Sequence, residues 1–399
     1  MDDKPASGLV RILTLNSISA IGLQRLPADR YAVGNGIDSP DAILVRSHDM
    51  KAMSIAASVR AIGRAGAGTN NIPVAEMSRR GVPVFNAPGA NANAVRELVL
   101  AGMLIAARNL VPAIRFTDGL SGTDEEIDKK VEEGKKHFAG MELPRHVLGI
   151  VGLGKIGSLV ADAAIKFGMD VVGYDPEITV DAAWSLPSSV RKAHSIEEVL
   201  RSSDFVTLHV PLLEATRNLL DGKRIGLMKP GAVLLNFSRD GIVDNQAVLE
   251  ALNAKKIKAY VCDFPSARLK GHPAVVATPH LGASTLEAEE NCAIMVVDQV
   301  RDYLEHGNIR NAVNFPDVVM PRESPYRLGI ANANVPNMVG QISTTVAQAG
   351  LNIHNMLNKS RKDMAYTLVD VDSAVPPQVT QKISAISGVL AVHYLPALA

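Results

Sequence analysis

The chain has 399 residues, 47% hydrophobic and 21% charged, with 41 basic against 41 acidic side chains and a formal net charge of zero. That length exceeds one ordinary core and predicts two or three domains of a globular protein, while the charge balance gives no electrostatic ground for a nucleic-acid or membrane partner. Two cysteines, Cys262 and Cys292, lie outside any CxxC or CxxH pattern, so reduced thiols, no metal site and a cytoplasmic location are expected.

The N-terminus, MDDKPASGLVRIL, carries acids where a secretion signal needs bases. Short apolar runs then alternate with helical patterns: VRILTL, AILVRS, VRAIGRA and GVPVFNA read as buried strands between Val10 and Ala87. A long helix starts near Asn93 (NAVRELVLAGMLIAARNL); interrupted by Arg108, it is too short to span a bilayer. The charge-mixed run from Thr123 to His137 reads as a solvated helix face.

A second series follows, with VLGIVG, VVGYD, FVTLHV, AVLLNFS, AYVCDF and VVATP as strands and helices between them, the strand count of a dinucleotide-binding domain. After a helix through EAEENCAIMVVDQVRDYLEHG, the Asn- and Pro-rich stretch NIRNAVNFPDVVMPRESP reads as a linker. The last 75 residues order as β-α-β-β-α-β, a ferredoxin-like module suited to regulation or oligomerisation.

GLGKIG places Gly152, Gly154 and Gly157 in the spacing G-x-G-x-x-G. The motif follows an apolar strand, opens a helix, and has Asp175 eighteen residues beyond Gly157 at the end of the next strand. Those are the contextual demands of a dinucleotide site. Gly152 permits the tight turn, Gly154 the approach of the pyrophosphate, and Gly157 close helix–strand packing. An acid at 175 accepts from ribose hydroxyls and disfavours a 2′-phosphate, so the cofactor expected is NAD.

Ligands in such sheets lie beyond the carboxyl ends of the strands. There AVLLNFSRDG places Ser238 and Arg239, and VVATPHLG places His280 on a Pro–Gly turn. An arginine can grip a carboxylate through two parallel hydrogen bonds; the alternative for Arg239 is a surface ion pair with Asp240 or Asp244. His280 has the character of an acid/base group.

Taken together, GLGKIG with Asp175, HVPLLEATRNLL, NFSRDGIVD and TPHLGAST resemble the D-isomer-specific 2-hydroxyacid dehydrogenases, over residues from about 10 to 306. IGRAGAGTNNI and GVPVFNAPGANANAV are most similar to the branch of that family acting on 3-phosphoglycerate, and the tail resembles its ACT-type regulatory domain. The resemblance implies two Rossmann-like or flavodoxin-like α/β lobes with parallel sheets: a substrate domain of residues 1–92 with 286–320, and an NAD domain of residues 93–285. Residues 325–399 form the ACT domain.

It implies Arg239 on the substrate carboxylate and His280 as acid/base. NAD contacts are implied from Lys155, Ile156, Asp175, Phe237, Ser238, Asp263 and His280 through Leu281, Gly282 and Ala283, with His209, Val210 and Pro211 on the adenine side. Arg46 and Ser47 would bind the substrate's phosphate, and the backbone around Ala67 and Gly68 its carboxylate. Asn332, Asn334 and Asn352 would hold L-serine as effector in a homo-oligomer. Other D-2-hydroxy acids as substrate, or a catalytically dead NAD(H)-sensing protein, stay open as alternatives. One departure stands out: the family's glutamate beyond the aspartate matching Asp263 is replaced by the run Phe264, Pro265, Ser266, Ala267, Arg268. Either another carboxylate, from Glu97 or Glu287, orients His280, or the histidine works without one.

Overall fold

The structure, a computed structural model, describes residues 8–396. It divides into two compact units, Met1–Asn91 with Leu286–Ala399, and Ala92–Thr285.

In the first unit, β1 (Val10–Leu15), β2 (Tyr31–Gly34), β3 (Ala42–Val45), β4 (Ala61–Arg64) and β5 (Val84–Phe85) form a parallel sheet in the order β2-β1-β3-β4-β5. β3 is buried along its whole length, which explains why AILV reads as a continuous apolar run rather than an alternating one. β2, with exposed Val33, lacks that signature and is not among the strands read from sequence. The helix Leu286–His306 buries Ala293, Val296, Val297 and Val300, spaced to fall on one face, against Ile12, Leu44 and Phe85.

The second unit carries β6 (Val147–Val151), β7 (Asp170–Tyr174), β8 (Arg191–Lys192), β9 (Phe205–Leu208), β10 (Ala232–Asn236), β11 (Ile257–Cys262) and β12 (Val275–Ala277). They form one parallel sheet, β12-β11-β10-β9-β6-β7-β8, in which strand order reverses at β6. Six of these strands were read from sequence; β8 is two exposed residues with no apolar signal. The expected long helix is two pieces, Ala92–Ala107 and Leu110–Asp118, because Asn109 between them adopts the left-handed conformation at φ 52°. The charged run forms the helix Asp124–Gly134, started by a reciprocal Thr123–Glu126 capping box. Among the described residues no single helix is long and apolar enough to cross a membrane.

The C-terminal residues of the first unit fold as β13 (Tyr326–Ala333), helix Met338–Gln348, β14 (Ile353–Arg361), β15 (Met364–Val371), helix Pro377–Ser384 and β16 (Val389–Pro396). Their antiparallel sheet runs β14-β15-β13-β16, the ferredoxin-like arrangement expected. The stretch read as a linker is instead part of the core. Ala312 bridges to Phe85, Val313 N donates to Val84 O, and Phe315 and Val318 are fully buried.

The tail's own core holds Leu328, Ile330 and Val369, while Ala331, Tyr366 and Leu368 share a cluster with Phe85 and Tyr303. Arg327 and Asp370, both fully buried, lock this junction. Arg327 donates from Nε and Nη2 to the two carboxylate oxygens at 2.6 and 2.8 Å, and to the carbonyls of His306, Met320 and Pro321. All five guanidinium N–H groups are thereby used, as a charge removed from water requires.

Candidate active site

At the reversal point of the second unit's sheet, β6 runs into the glycine turn and the helix Lys155–Lys166. Gly152 has φ 94°, and a Cβ there would sit 2.5 Å from the carbonyl oxygen of His209. A Cβ on Gly157 would lie 2.0 Å from the carbonyl oxygen of Gly152. Both positions are closed to any side chain. Gly154 differs: it is exposed, and nothing stands within 4 Å of where its Cβ would be. It is the N-cap of the helix and no side chain caps it, so the first-turn N–H groups, including those of Lys155 and Ile156, face a space that a bound anion can enter.

Asp175, at the tip of β7, accepts from Leu153 N at 2.8 Å and from Glu177 N at 3.0 Å, which fixes its carboxylate beside the turn. His209 lies beyond β9 with Nε2 3.0 Å from Thr207 Oγ1, and its buried Nδ1 has no partner among the described residues. Burial alone pulls its pKa down to about 3, so the ring is neutral. The carbonyl of the next residue, Val210, accepts from Ser238 Oγ, linking the adenine-side segment of Val210 and Pro211 to the tip of β10.

That tip is organised by Asn236, fully buried at the end of the apolar strand β10. Its Oδ1 accepts from Ser238 N at 3.2 Å and its Nδ2 donates to Arg239 O at 3.0 Å. The reading of the sequence passed over Asn236; a lone amide closing the run AVLLN was the available signal. Phe237 turns its ring into the core against the helix Ala92–Ala107, so only its backbone faces the tip. The ion-pair alternative for Arg239 is not realised. Asp244 caps the helix Asn245–Asn253, Asp240 accepts from Asn245, and among the described residues the exposed Arg239 guanidinium donates only to Ser238 O, at 2.7 Å.

His280 is exposed and left-handed, φ 59°, a conformation costing about 1–2 kcal/mol for a residue with a Cβ. What holds it is Asp263, 1% exposed at the end of β11. One carboxylate oxygen accepts from Thr278 Oγ1 and Leu281 N, both at 2.7 Å, and the other from Gly282 N at 2.8 Å; the Asp263 carbonyl accepts from His280 N. Hydrogen bonds to a charged acceptor contribute about 1.5–3 kcal/mol each, enough to offset the backbone cost. The ring meets the edge of Phe264 at 5.0 Å between centroids and 69° between planes.

Among the described residues of Ala92–Thr285 no carboxylate pairs with this imidazole. Glu97 is instead held by Asn93 at 2.8 Å and Arg96 at 3.5 Å, and Arg268, where the family's glutamate would be sought, donates to Gln246. Glu287 belongs to the other unit. Burial raises the Cys262 thiol, so it stays protonated and unreactive.

In the first unit, Arg46 and Ser47 follow β3, and Ala67 and Gly68 follow β4. Arg46 Nη2 meets Glu289 Oε1 at 2.5 Å, a partner 243 positions away with no local signal to mark it. Ala67 O accepts from Asn86 Nδ2 at 2.5 Å.

Residues 110–282 match the family profile of the D-isomer specific 2-hydroxyacid dehydrogenase, NAD binding domain. A D-3-phosphoglycerate dehydrogenase of Escherichia coli (strain K12) is 33% identical over 351 residues, covering 84% of this chain and 81% of its own length. The chain belongs to the D-isomer specific 2-hydroxyacid dehydrogenase family. A second family member, a D-3-phosphoglycerate dehydrogenase of Methanocaldococcus jannaschii, is 36% identical over 330 residues, which are 79% of this chain but only 59% of that relative. The fold of the family is also found in an NAD+-bound 3-phosphoglycerate dehydrogenase of Entamoeba histolytica, at 23% identity and a TM-score of 0.60, over 77% of this chain and 99% of that one.

Proposed function

We propose that this protein oxidises the C2 hydroxyl of 3-phospho-D-glycerate to 3-phosphohydroxypyruvate with NAD as acceptor, the entry to L-serine synthesis. The carrying observation is that one sheet edge brings together a glycine turn with an open anion-facing surface, an arginine with no acid partner among the described residues, and an exposed histidine on a clasped turn. Membership of the family and the names of the relatives support the substrate class. The residues fit NAD: Gly152, Gly154 and Gly157 with the uncapped helix start for the pyrophosphate, and Asp175 for the ribose. When bound, NAD supplies the hydride acceptor at nicotinamide C4.

Arg239 would hold the substrate carboxylate and stabilise charge growing on the C2 oxygen, while His280 takes the hydroxyl proton. Loss of that proton and of the C2 hydride would turn the C2–O bond into a carbonyl, the two electrons being those NAD would accept when held by the glycine turn and Asp175. The Asp263 clasp fixes the backbone that carries His280, and the edge contact with Phe264 packs against its ring, so we infer a histidine that works without a carboxylate partner from its own unit. Arg46 and Ser47 would take the phosphate, with Arg46 exchanging Glu289 for it, and the Ala67–Gly68 backbone the carboxylate. The tail is proposed to bind L-serine in a homo-oligomer of at least two copies, with buried Asn332, whose Oδ1 has no partner among the described residues, and exposed Asn334 at one end of its sheet, and exposed Asn352, which the strand pairing puts at the opposite end, supplied by a second copy.

The test is NADH consumption with 3-phosphohydroxypyruvate by wild type, Arg239→Gln, His280→Asn and Arg46→Gln. Turnover in wild type, near-complete loss in the first two, and a raised KM in the third are expected. Full activity of Arg46→Gln on a phosphorylated substrate would point to a plain 2-hydroxy acid, and NADH binding without turnover in wild type to a sensing role.

A further inference from the structure

The first unit contains a cavity of about 680 Å³ that the proposed reaction does not use, walled by the tip of β5, the segment around 311–317 and the tail's edge strand β14. Lys359 and Arg361 are two apart on that strand and so share a face. It is the face turned to the first sheet, because Leu357 and Met364, the latter paired with Arg361, pack against the cluster that contains Phe85 and Tyr303.

Arg361 Nη1 donates to Ala312 O at 3.1 Å, leaving its other N–H groups without a recorded acceptor among the described residues. Lys359 has no carboxylate partner among the described residues. Among the described residues the one acid on the wall, Asp317, already accepts from Asn311 N at 2.8 Å. Two cations outnumber one committed carboxylate in a concave site, and the amides of Asn86 and Asn311 line it beside them.

We infer that this cavity binds a phosphate group, free or as a small ester, as an effector. Lys359 serves as a point charge and Arg361 as a fork of donors, the pairing that recognises phosphate oxygens. The position gives the ligand leverage. Asn86 stands on the cavity wall and donates to Ala67 O, the loop assigned above to the substrate carboxylate. A ligand that draws Asn86 toward β14 therefore alters the hold on that loop, and this coupling, unlike the binding itself, rests on the proposed function.

The test is calorimetric titration of the full chain with inorganic phosphate and, separately, glycerol 3-phosphate. Arg46→Gln is the background, so that the proposed substrate phosphate site is weakened. Adding Lys359→Gln with Arg361→Gln should raise the dissociation constant at least tenfold. Lys359→Glu, an exposed single change with an unaltered melting temperature, should do the same by repulsion. A preference for glycerol 3-phosphate identifies an ester ligand, and equal affinity a free phosphate.

No binding at 10 mM of either probe, or binding that survives both substitutions, overturns the site. Binding lost on substitution in a protein that turns over no 2-hydroxy acid sustains the site and removes only the proposed activity. In a protein that does turn over, hydrogen exchange at Ala67 and Gly68 should change with phosphate and cease to change in the double substitution. Exchange indifferent to bound phosphate overturns the coupling.

Discussion

Replacing Asp263 by Asn keeps the shape of the side chain and removes the acceptor pattern that holds His280. The carboxylate accepts three hydrogen bonds at 2.7–2.8 Å inside a site with 1% exposure. If the Asn oxygen takes the place that serves Thr278 and Leu281, its NH2 faces the N–H of Gly282, and a buried donor is left unpaired at a cost of about 1–3 kcal/mol. The two surviving bonds lose their charge assistance, roughly halving them. Relief of the buried charge offsets part of this, so the turn should be weakened by about 2–4 kcal/mol. Because His280 needs that turn to remain left-handed, the loss falls on the reacting geometry. Amide exchange at Leu281 and Gly282 should accelerate by about 30-fold to 10³-fold, each 1.4 kcal/mol being tenfold, and kcat for NADH oxidation should fall with it. Exchange and kcat both at wild-type values in Asp263→Asn would refute the clasp. A raised NADH Kd with both amides still protected would return Asp263 to a purely cofactor-binding role.

Gly154→Ala should leave the melting temperature unchanged while weakening NADH binding by tenfold or more, whereas Gly157→Ala, with its Cβ 2.0 Å from Gly152 O, should lower both; paired thermal and fluorescence titrations separate the two. Arg327→Met leaves Asp370 buried and uncompensated, which costs about 3–5 kcal/mol and lowers the melting temperature by about 6–20 °C. Burial lowers His393, edge-on to Tyr303, to about 4 and His209 to about 3. Unfolded histidines titrate at about 6.5, so the unfolded chain takes up these protons first. Stability from these two sites is therefore fully present above that pH and is lost as pH falls toward 4. His393→Phe should reduce the drop in melting temperature between pH 7 and pH 5, and an identical drop would remove His393 from the account.

Much of the architecture was legible because it is written in local pattern. The glycine turn, its strand, its helix and Asp175 lie within a single βαβ unit, and the tail's six elements alternate cleanly between periods of two and 3.6. The parts that escaped are those decided across long separations or by single residues. Asp263 meets Thr278 fifteen positions on, and Arg46 meets Glu289 across 243. The two-residue β8 has too little sequence to carry a period. The stretch 308–325 looks like a linker by composition, yet Phe315, Val318 and Met320 are buried in it. Asn109 shows a different limit: one left-handed residue splits an apolar run that reads as a continuous helix.

The first sheet ends at Phe85, but the helix that covers it begins at Leu286, and Tyr366, which completes the same cluster, comes later still. During synthesis at about 5–20 residues per second, the opening strands therefore wait roughly 10–40 s for the helix that buries them. The inserted unit, contiguous from Ala92 to Thr285, has no such wait and can close its own core first. The nascent chain thus exposes the apolar face of β1, β3 and β4 for a defined interval, during which that surface is open to aggregation.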